Sequence, residues 1–433
     1  MDEEDSCAQG GCIMIRLPIR GGNWNNTSNA GVAALNLNND RTNRNTNRGF
    51  RPALYEARSI DTKVSCQCNI KKDALASAIA EKDQAPADAS AECLYEQIYQ
   101  FENILSAAYQ CRKGKAKKHS TLDFFNNLEE SVIQIQNELM WNEFTISPYH
   151  HFFVFEPKRR LISAPTFYDR VVHRAIYNII EPICDKTYIY DSYACRRNKG
   201  AHKGADRAQA MIRKVERKHG KAYVFKADIY RYFSSIDHEI LKRLVAIKIK
   251  CTRTQALLNY IIDHSPSDSD GVGIPLGNLT SQVFANIYLN ELDRFMRHTL
   301  KVKNYCRYMD DFVVISGDKK ELHRIRSLAE EFVNSELNLK FNSKTQVFPI
   351  GKKNGRALDF LGYRMYGDHR LLRKSSVKRI KRKITKYRKQ YASGEISVSG
   401  VQSKMQSWIG HASHANSHNL IKSLFNQPFV RSK

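Results

Sequence analysis

The 433-residue chain carries 69 Lys and Arg against 44 Asp and Glu, a formal net charge of +25, and 42% of its residues are hydrophobic. That apolar fraction supports two or three domains with substantial cores, and the charge points to a polyanionic partner, nucleic acid before any other. No apolar run reaches about 18 residues and no amphipathic anchor stands at either end, so membrane attraction is the weaker reading of the charge.

The start, MDEEDSCAQGGC, is acidic and lacks the charged-then-apolar pattern of a secretion signal, so the protein is expected in the cytoplasm. Residues 1–54 are crowded with Asn and read as a separate, disordered extension, with 55–90 as a small-residue linker. Leu94, Ile98, Phe101, Leu105 and Ala108 share one helical face, and Phe125, Leu128, Val132, Ile135 and Leu139 another. HHFFVFEPKRRLISAP reads as strand, turn and strand with a basic tip, and the helix through Val172, Ala175, Ile176 and Ile179 is expected to stop before Pro182. The ten cysteines follow no framework spacing; Cys111, Cys184, Cys195, Cys251 and Cys306 read as reduced, partly buried thiols. Cys66 and Cys68 are neighbours, yet no second pair or nearby His completes a metal site.

Further on, KAYVFKADIYRYFSSIDHEIL holds a strand, Ala222 to Ile229, that delivers Asp228 near its end, before a helix starting around Ser235 or Asp237. In NYCRYMDDFVVIS, Tyr305 to Tyr308 and Phe312 to Ile315 pair as a hairpin with Met309, Asp310 and Asp311 at the tip. Uncompensated charge between strands is costly, so an Asp pair there belongs to an ordinary turn or sits beside a cation. If the tip faces Asp228, three carboxylates on neighbouring strand ends can hold two Mg²⁺ ions, the hard cation that oxygen donors favour.

These motifs, in this order over roughly residues 92–415, resemble the reverse transcriptases, whose palm carries a Y-x-D-D hairpin and an upstream strand Asp. The resemblance implies an α+β right-hand polymerase: fingers at 91–221, a palm at 222–366 with a fingers insertion around 239–271, and a basic helical thumb at 367–433. It implies Asp228, Asp310 and Asp311 as metal ligands, the Ile229 carbonyl as a further one, and two Mg²⁺ ions as cofactor. Phe233 matches the gate that excludes a ribose 2′-hydroxyl, and SYACRRNKGAH places Arg196 on the incoming triphosphate, with Lys158 and Arg160 as basic neighbours. LKFNSKTQ makes Lys344 a candidate general acid, and LDFLGYRM, with Phe360, Leu361 and Gly362, resembles the primer grip.

GIPLGNLTSQVFANIYLNELDRF narrows the class. Gly277 lets backbone approach the template, and Phe284, Tyr288, Leu292 and Phe295 define the packed face of the following helix. Intron and retron enzymes carry Q-G-x-x-x-S-P here; Leu276-Gly277 and Ser281-Gln282 are similar to the reverse transcriptases of diversity-generating retroelements. That likeness puts Leu276, Gly277 and Ser281 at the template and Gln282 at the nucleotide, and implies loosened discrimination at template adenines. The Asn-rich start resembles a translated template repeat, or the variable region of the C-type-lectin-like proteins such elements diversify. The partners implied are template-repeat RNA and its cDNA duplex, deoxynucleoside triphosphates, and an accessory variability protein that is a basic helical bundle.

RKSSVKRIKRKITKYRKQY sets Val377, Ile380, Ile384, Tyr387 and Tyr391 on one face and Lys378, Arg379, Arg382 and Lys383 on the others, a thumb helix suited to backbone phosphates. No RNase H or endonuclease segment is read after it. A retron- or intron-type reverse transcriptase, a non-catalytic RNA-binding module on a polymerase scaffold, and a lectin-like binding protein are the rival readings.

Overall fold

The computed structural model describes residues 93–155, 159–267, 269–426 and 429. The Asn-rich segment, the linker and the fingertip residue Lys158 lie outside the described residues. Four helices come first: α1 (Leu94–Tyr99), α2 (Phe101–Arg112), α3 (His119–Asn126) and α4 (Leu128–Met140). The single face expected from Leu94 to Ala108 is broken at Gln100, whose ψ of 134° ends α1. The Asn103 amide then donates to the Gln97 and Ile98 carbonyls, which the break strands.

Strands β1 (His150–Val154) and β2 (Arg160–Ala164) pair antiparallel, from Val154 opposite Arg160 to His150 opposite Ala164. In α5 (Phe167–Asp185) the N-cap Thr166 accepts from the Asp169 N–H. The expected stop before Pro182 does not occur. Pro182 falls in the last turn, where it removes one helical hydrogen bond, and that turn is held because Ile180 and Cys184 are fully buried. α6 (Ala201–His219) ends on Gly220 at φ 71°, with Arg217, Lys218 and His219 in its last turn complementing the helix dipole.

The sheet that carries the site has the order β4-β5-β3-β6, antiparallel throughout. Its strands are β3 (Ala222–Asp228), β4 (Tyr305–Tyr308), β5 (Asp311–Ser316) and β6 (Gln346–Ile350). Period-two alternation decides its two faces. Ala222, Val224, Val313, Ile315, Phe348 and Ile350 form one core with α6 and with a small sheet of β7 (Leu358–Phe360), β8 (Tyr363–Met365) and β9 (Arg370–Leu372). On the other face Phe225 meets Phe312 edge-on at 5.7 Å, and both rings approach Phe341.

Between β3 and β4 lie α7 (His238–Lys248), α8 (Thr252–Asp263) and α9 (Leu279–Arg294). Asp237 is the N-cap of α7, accepting from the Glu239 and Ile240 N–H groups. The expected packed face of α9 is present in Phe284, Tyr288 and Leu292, all buried, whereas Phe295 lies just past the helix and stacks on Phe332 at 4.3 Å. α10 (Lys319–Ser335), started by Asp318, packs across β3, β5 and β6. Three last helices, α11 (Lys374–Ala392), α12 (Val398–Ser413) and α13 (His418–Phe425), enclose Ile380, Ile384, Val401, Met405 and Leu424.

Candidate active site

Asp228 ends β3 directly opposite Asp311 of β5. β4 and β5 are joined by Met309 and Asp310 alone, with Tyr308 opposite Asp311 and Met309 in left-handed conformation at φ 56°. Asp311 is therefore the first residue of a strand and not part of the tip, because the pairing to Asp228 extends the ladder by one residue. The Asp310 carbonyl accepts from the Ile229 N–H at 3.3 Å, which draws the tip toward the end of β3. Asn342 fixes Asp228 twice: its N–H donates to the Asp228 carbonyl at 2.7 Å and its amide to Oδ2 at 3.2 Å.

Asp228 at the adjoining strand end raises the cost of ionising both Asp310 and Asp311. Burial pushes the Asp310 carboxyl up to about 6, Asp228 adds to the shift, and Arg160 of β2 opposes it. Burial likewise pushes Asp311 up to about 7, with Lys226 opposing and Asp228 and Asp310 adding. Lys226 stands 3.4 Å from Asp311 Oδ2 and also donates to the Asp359 carbonyl at 2.7 Å, so it links the acids to β7. As placed, no three His, Cys, Asp or Glu side chains among the described residues close around one point to hold a metal. The donor chemistry suits a hard divalent cation all the same: Asp311 Oδ1 is buried without a hydrogen-bond partner, and the carboxyls sit where positive charge lowers their cost.

Beneath the hairpin lies a network the motifs did not disclose. Arg307 of β4 is fully buried, with its Nε 2.7 Å from Asp293 Oδ1 and its Nη2 2.6 Å from Oδ2, and Tyr305 donates to the same carboxylate at 2.7 Å. The Arg307 Nη1 donates to the Met309 carbonyl at 2.9 Å, so this bidentate pair holds the turn that presents Asp310. Its sequence signal was an Arg inside an apolar strand, which requires a buried acid somewhere else in the chain.

The remaining sequence-derived residues fall into five groups. Phe233, half-buried, accepts at its carbonyl from the Ile274 N–H at 2.8 Å, and its neighbour Tyr232 bonds the Ala285 carbonyl of α9; this joins Phe233 to the segment leading into Leu276, Gly277, Ser281 and Gln282. The close approach at Gly277 is to β2: a Cβ there would lie 2.7 Å from the Ser163 carbonyl oxygen, φ is 137°, and the Ser163 N–H donates to the Leu276 carbonyl. Ser281 is buried and Gln282 half-buried on the first turn of α9. The Arg196 guanidinium is engaged by Asp185 at 2.5 Å and by the Ile189 and Ser192 carbonyls, so it braces its own loop.

Lys344 is exposed, on a turn whose N–H is held by Asn342 Oδ1, the residue that also fixes Asp228. Phe360 is buried core, and Leu361 and Gly362, at φ 51° and 90°, turn the chain between β7 and β8. Lys378, Arg379, Arg382 and Lys383 are exposed on α11, turned from the buried Ile380 and Ile384.

Residues 156–365, which contain all of this site except the thumb, match the family model described as reverse transcriptase (RNA-dependent DNA polymerase). The matched span is a reverse transcriptase domain, and it has homologues among group II intron-encoded proteins. The chain is 26% identical over 257 residues to Protein YkfC of Escherichia coli (strain K12), covering 51% of this chain and 65% of that one. It is 22% identical over 382 residues to the group II intron-encoded protein LtrA of Lactococcus lactis subsp. cremoris, covering 70% of this chain and 61% of LtrA. The chain thus spans less than two thirds of the length of either relative. Among solved structures, apo telomerase from Candida tropicalis, truncated from its C-terminal domain, aligns at a TM-score of 0.43 and 13% identity, over 53% of this chain and 56% of that one.

Proposed function

We propose that this chain is an RNA-directed DNA polymerase that copies a template-repeat RNA into cDNA with errors concentrated at template adenines, as the enzyme of a diversity-generating retroelement. The observation that carries the polymerase reading is the pairing of Asp228 with Asp311, with Asp310 at the adjoining tip, inside a span that matches the reverse transcriptase family model. Asp228, Asp310, Asp311 and the Ile229 carbonyl would hold two Mg²⁺ ions, which supply charge neutralisation at the primer hydroxyl and at the leaving pyrophosphate.

The chain's own residues supply the rest. Arg160, the cation that opposes the Asp310 shift, faces the site from the fingertip and binds the triphosphate. Phe233, held against the Ile274 backbone, excludes a 2′-hydroxyl. Lys344 delivers a proton to the leaving group, and the exposed cations of α11 follow the duplex backbone. The adenine-directed reading is supported by Leu276, half-buried where the polar residue of intron enzymes would stand, between β2 and α9. The partners proposed are the template RNA and a basic helical-bundle accessory protein, with the enzyme acting in the cytoplasm.

The test is cDNA synthesis on the cognate RNA with Mg²⁺, four deoxynucleotides and the accessory protein, sequenced beside an Asp310→Ala, Asp311→Ala control. Errors confined to template adenines and absent from the control support the proposal. Faithful cDNA favours the second reading, an intron-type reverse transcriptase, for which the match to LtrA speaks. No product under any primer condition favours a non-catalytic RNA-binding module.

A further inference from the structure

We propose that Cys93 and Cys251 form a reversible intrachain disulfide, a two-thiol redox site that ties the start of α1 to the start of α8. Their sulfurs lie 3.0 Å apart although the residues are 158 positions apart in sequence. Both side chains are half-buried, open enough for a small thiol reagent, whereas Cys184 and Cys306 are buried. Each stands at the N-cap of its helix, where the chain is extended and a sulfur can turn toward its partner without disturbing helical hydrogen bonds.

The surroundings distinguish the two thiols. Burial raises Cys251, and this is outweighed by the Cys93 thiol and the first-turn N–H groups, Thr254's among them, so Cys251 lies below the ordinary thiol range. Burial and the bond to Cys251 raise Cys93. A structural zinc site is the other use of paired cysteines, but among the described residues no third His, Cys, Asp or Glu joins the pair to hold a metal.

The exchange can begin at either thiol, as in attack by Cys251. Its thiolate attacks one sulfur of an oxidant such as glutathione disulfide, forming a mixed disulfide and expelling one glutathione thiolate. The Cys93 thiolate then attacks the Cys251 sulfur and expels the second. Two protein thiols are oxidised by two electrons, one glutathione disulfide is reduced to two glutathiones, and the two protons pass to the departing thiolates. The new bond closes a long loop, which restricts the unfolded chain more than the folded one.

The experiment equilibrates the full chain in glutathione buffers of graded ratio, quenches with acid, alkylates free thiols and maps disulfides by mass spectrometry after non-reducing digestion. A peptide linking Cys93 to Cys251, appearing with a single midpoint and lost on dithiothreitol treatment, is the expected result. The oxidised chain should also unfold roughly 5 °C higher than the reduced chain, a rise absent in Cys93→Ser. Glutathione adducts on either cysteine without the linked peptide, or Cys251 joined instead to Cys66 or Cys68, would overturn the proposal. The mapping uses the unaltered chain, so misfolding of the serine variant leaves it intact.

Discussion

Two of the antiparallel hairpins among the described residues, β4–β5 and β1–β2, are of similar size with opposite surroundings. In β4–β5, Tyr305, Cys306, Arg307, Phe312 and Val313 are all completely buried. In β1–β2 every position of β1 is exposed, including Phe152 at 41% and Phe153 at 45%. An isolated two-stranded ribbon is marginal in water, so the outer hairpin depends on the His151–Ser163 side-chain bond across its strands at 3.0 Å and on its anchors to the chain before α9, the Ser163–Leu276 bond and the Gly277 approach. The inner hairpin is over-determined by a buried ion pair and two packed faces. A rigid, buried hairpin suits the positioning of reacting groups proposed for Asp310 and Asp311, and an exposed one suits the contact with the incoming triphosphate proposed for Arg160.

The largest effect that separates them is expected at Arg307. Arg307→Met leaves the buried Asp293 with the Tyr305 hydroxyl but no cation, which costs about 3–5 kcal/mol. Chemical denaturation should read that loss, and adding Asp293→Leu should recover most of the stability while cDNA synthesis stays low, because the Met309 carbonyl has lost its anchor. Recovery of activity in the double variant would show that the ion pair only fills space.

Gly277→Ala comes next. A Cβ at φ 137° and 2.7 Å from a backbone oxygen carries strain of about 1–3 kcal/mol. Strain passed to β2 should shift Arg160, so the KM for deoxynucleotides should rise more than kcat falls; an equal effect on both would mean that β2 does not contact the nucleotide.

The third contrast concerns pH. Asp311 is raised from 3.8 to about 7, so the folded chain prefers it protonated, and stability is lost as pH climbs from the ordinary carboxylate range through about 7. Asp311→Asn never ionises. Without divalent cations it should match the unaltered protein near pH 4 and exceed it near pH 8 by about 2 kcal/mol, after discounting for partial exposure. Thermal midpoints across that range check the sign, and a variant less stable at pH 8 would contradict it.

The smallest effect belongs to the outer hairpin. Phe153→Ser, at an exposed position where Arg159 covers the ring at 4.1 Å, should change stability by no more than about 0.5 kcal/mol. A loss of several kcal/mol on denaturation would mean that β1 belongs to the core.

Short-range chemistry was legible directly. Apolar runs placed β3 and β5, an Asp at the end of one and an Asp pair ahead of the other marked the candidate centre, and Asp237, one of the two residues read as starting α7, is its N-cap. Helix ends were read less well. Gln100 breaks a continuous apolar face, and Pro182 fails to stop α5, where burial of Ile180 and Cys184 outweighs local preference.

What the sequence by itself determined is therefore strands β1 to β5, part of the helices and the three aspartates, since each depends on residues within a turn or a strand of one another. Only the tertiary structure decided where the buried charges find partners: Lys226 with Asp311 and the Asp359 carbonyl, Asn342 with Asp228, and Arg307 with Asp293. The same holds for Arg196, whose guanidinium goes to Asp185 and two carbonyls of its own loop. Removing a charge from water is tolerable only beside a compensating group, and that group is chosen by proximity in space, to which spacing along the chain gives no direct access.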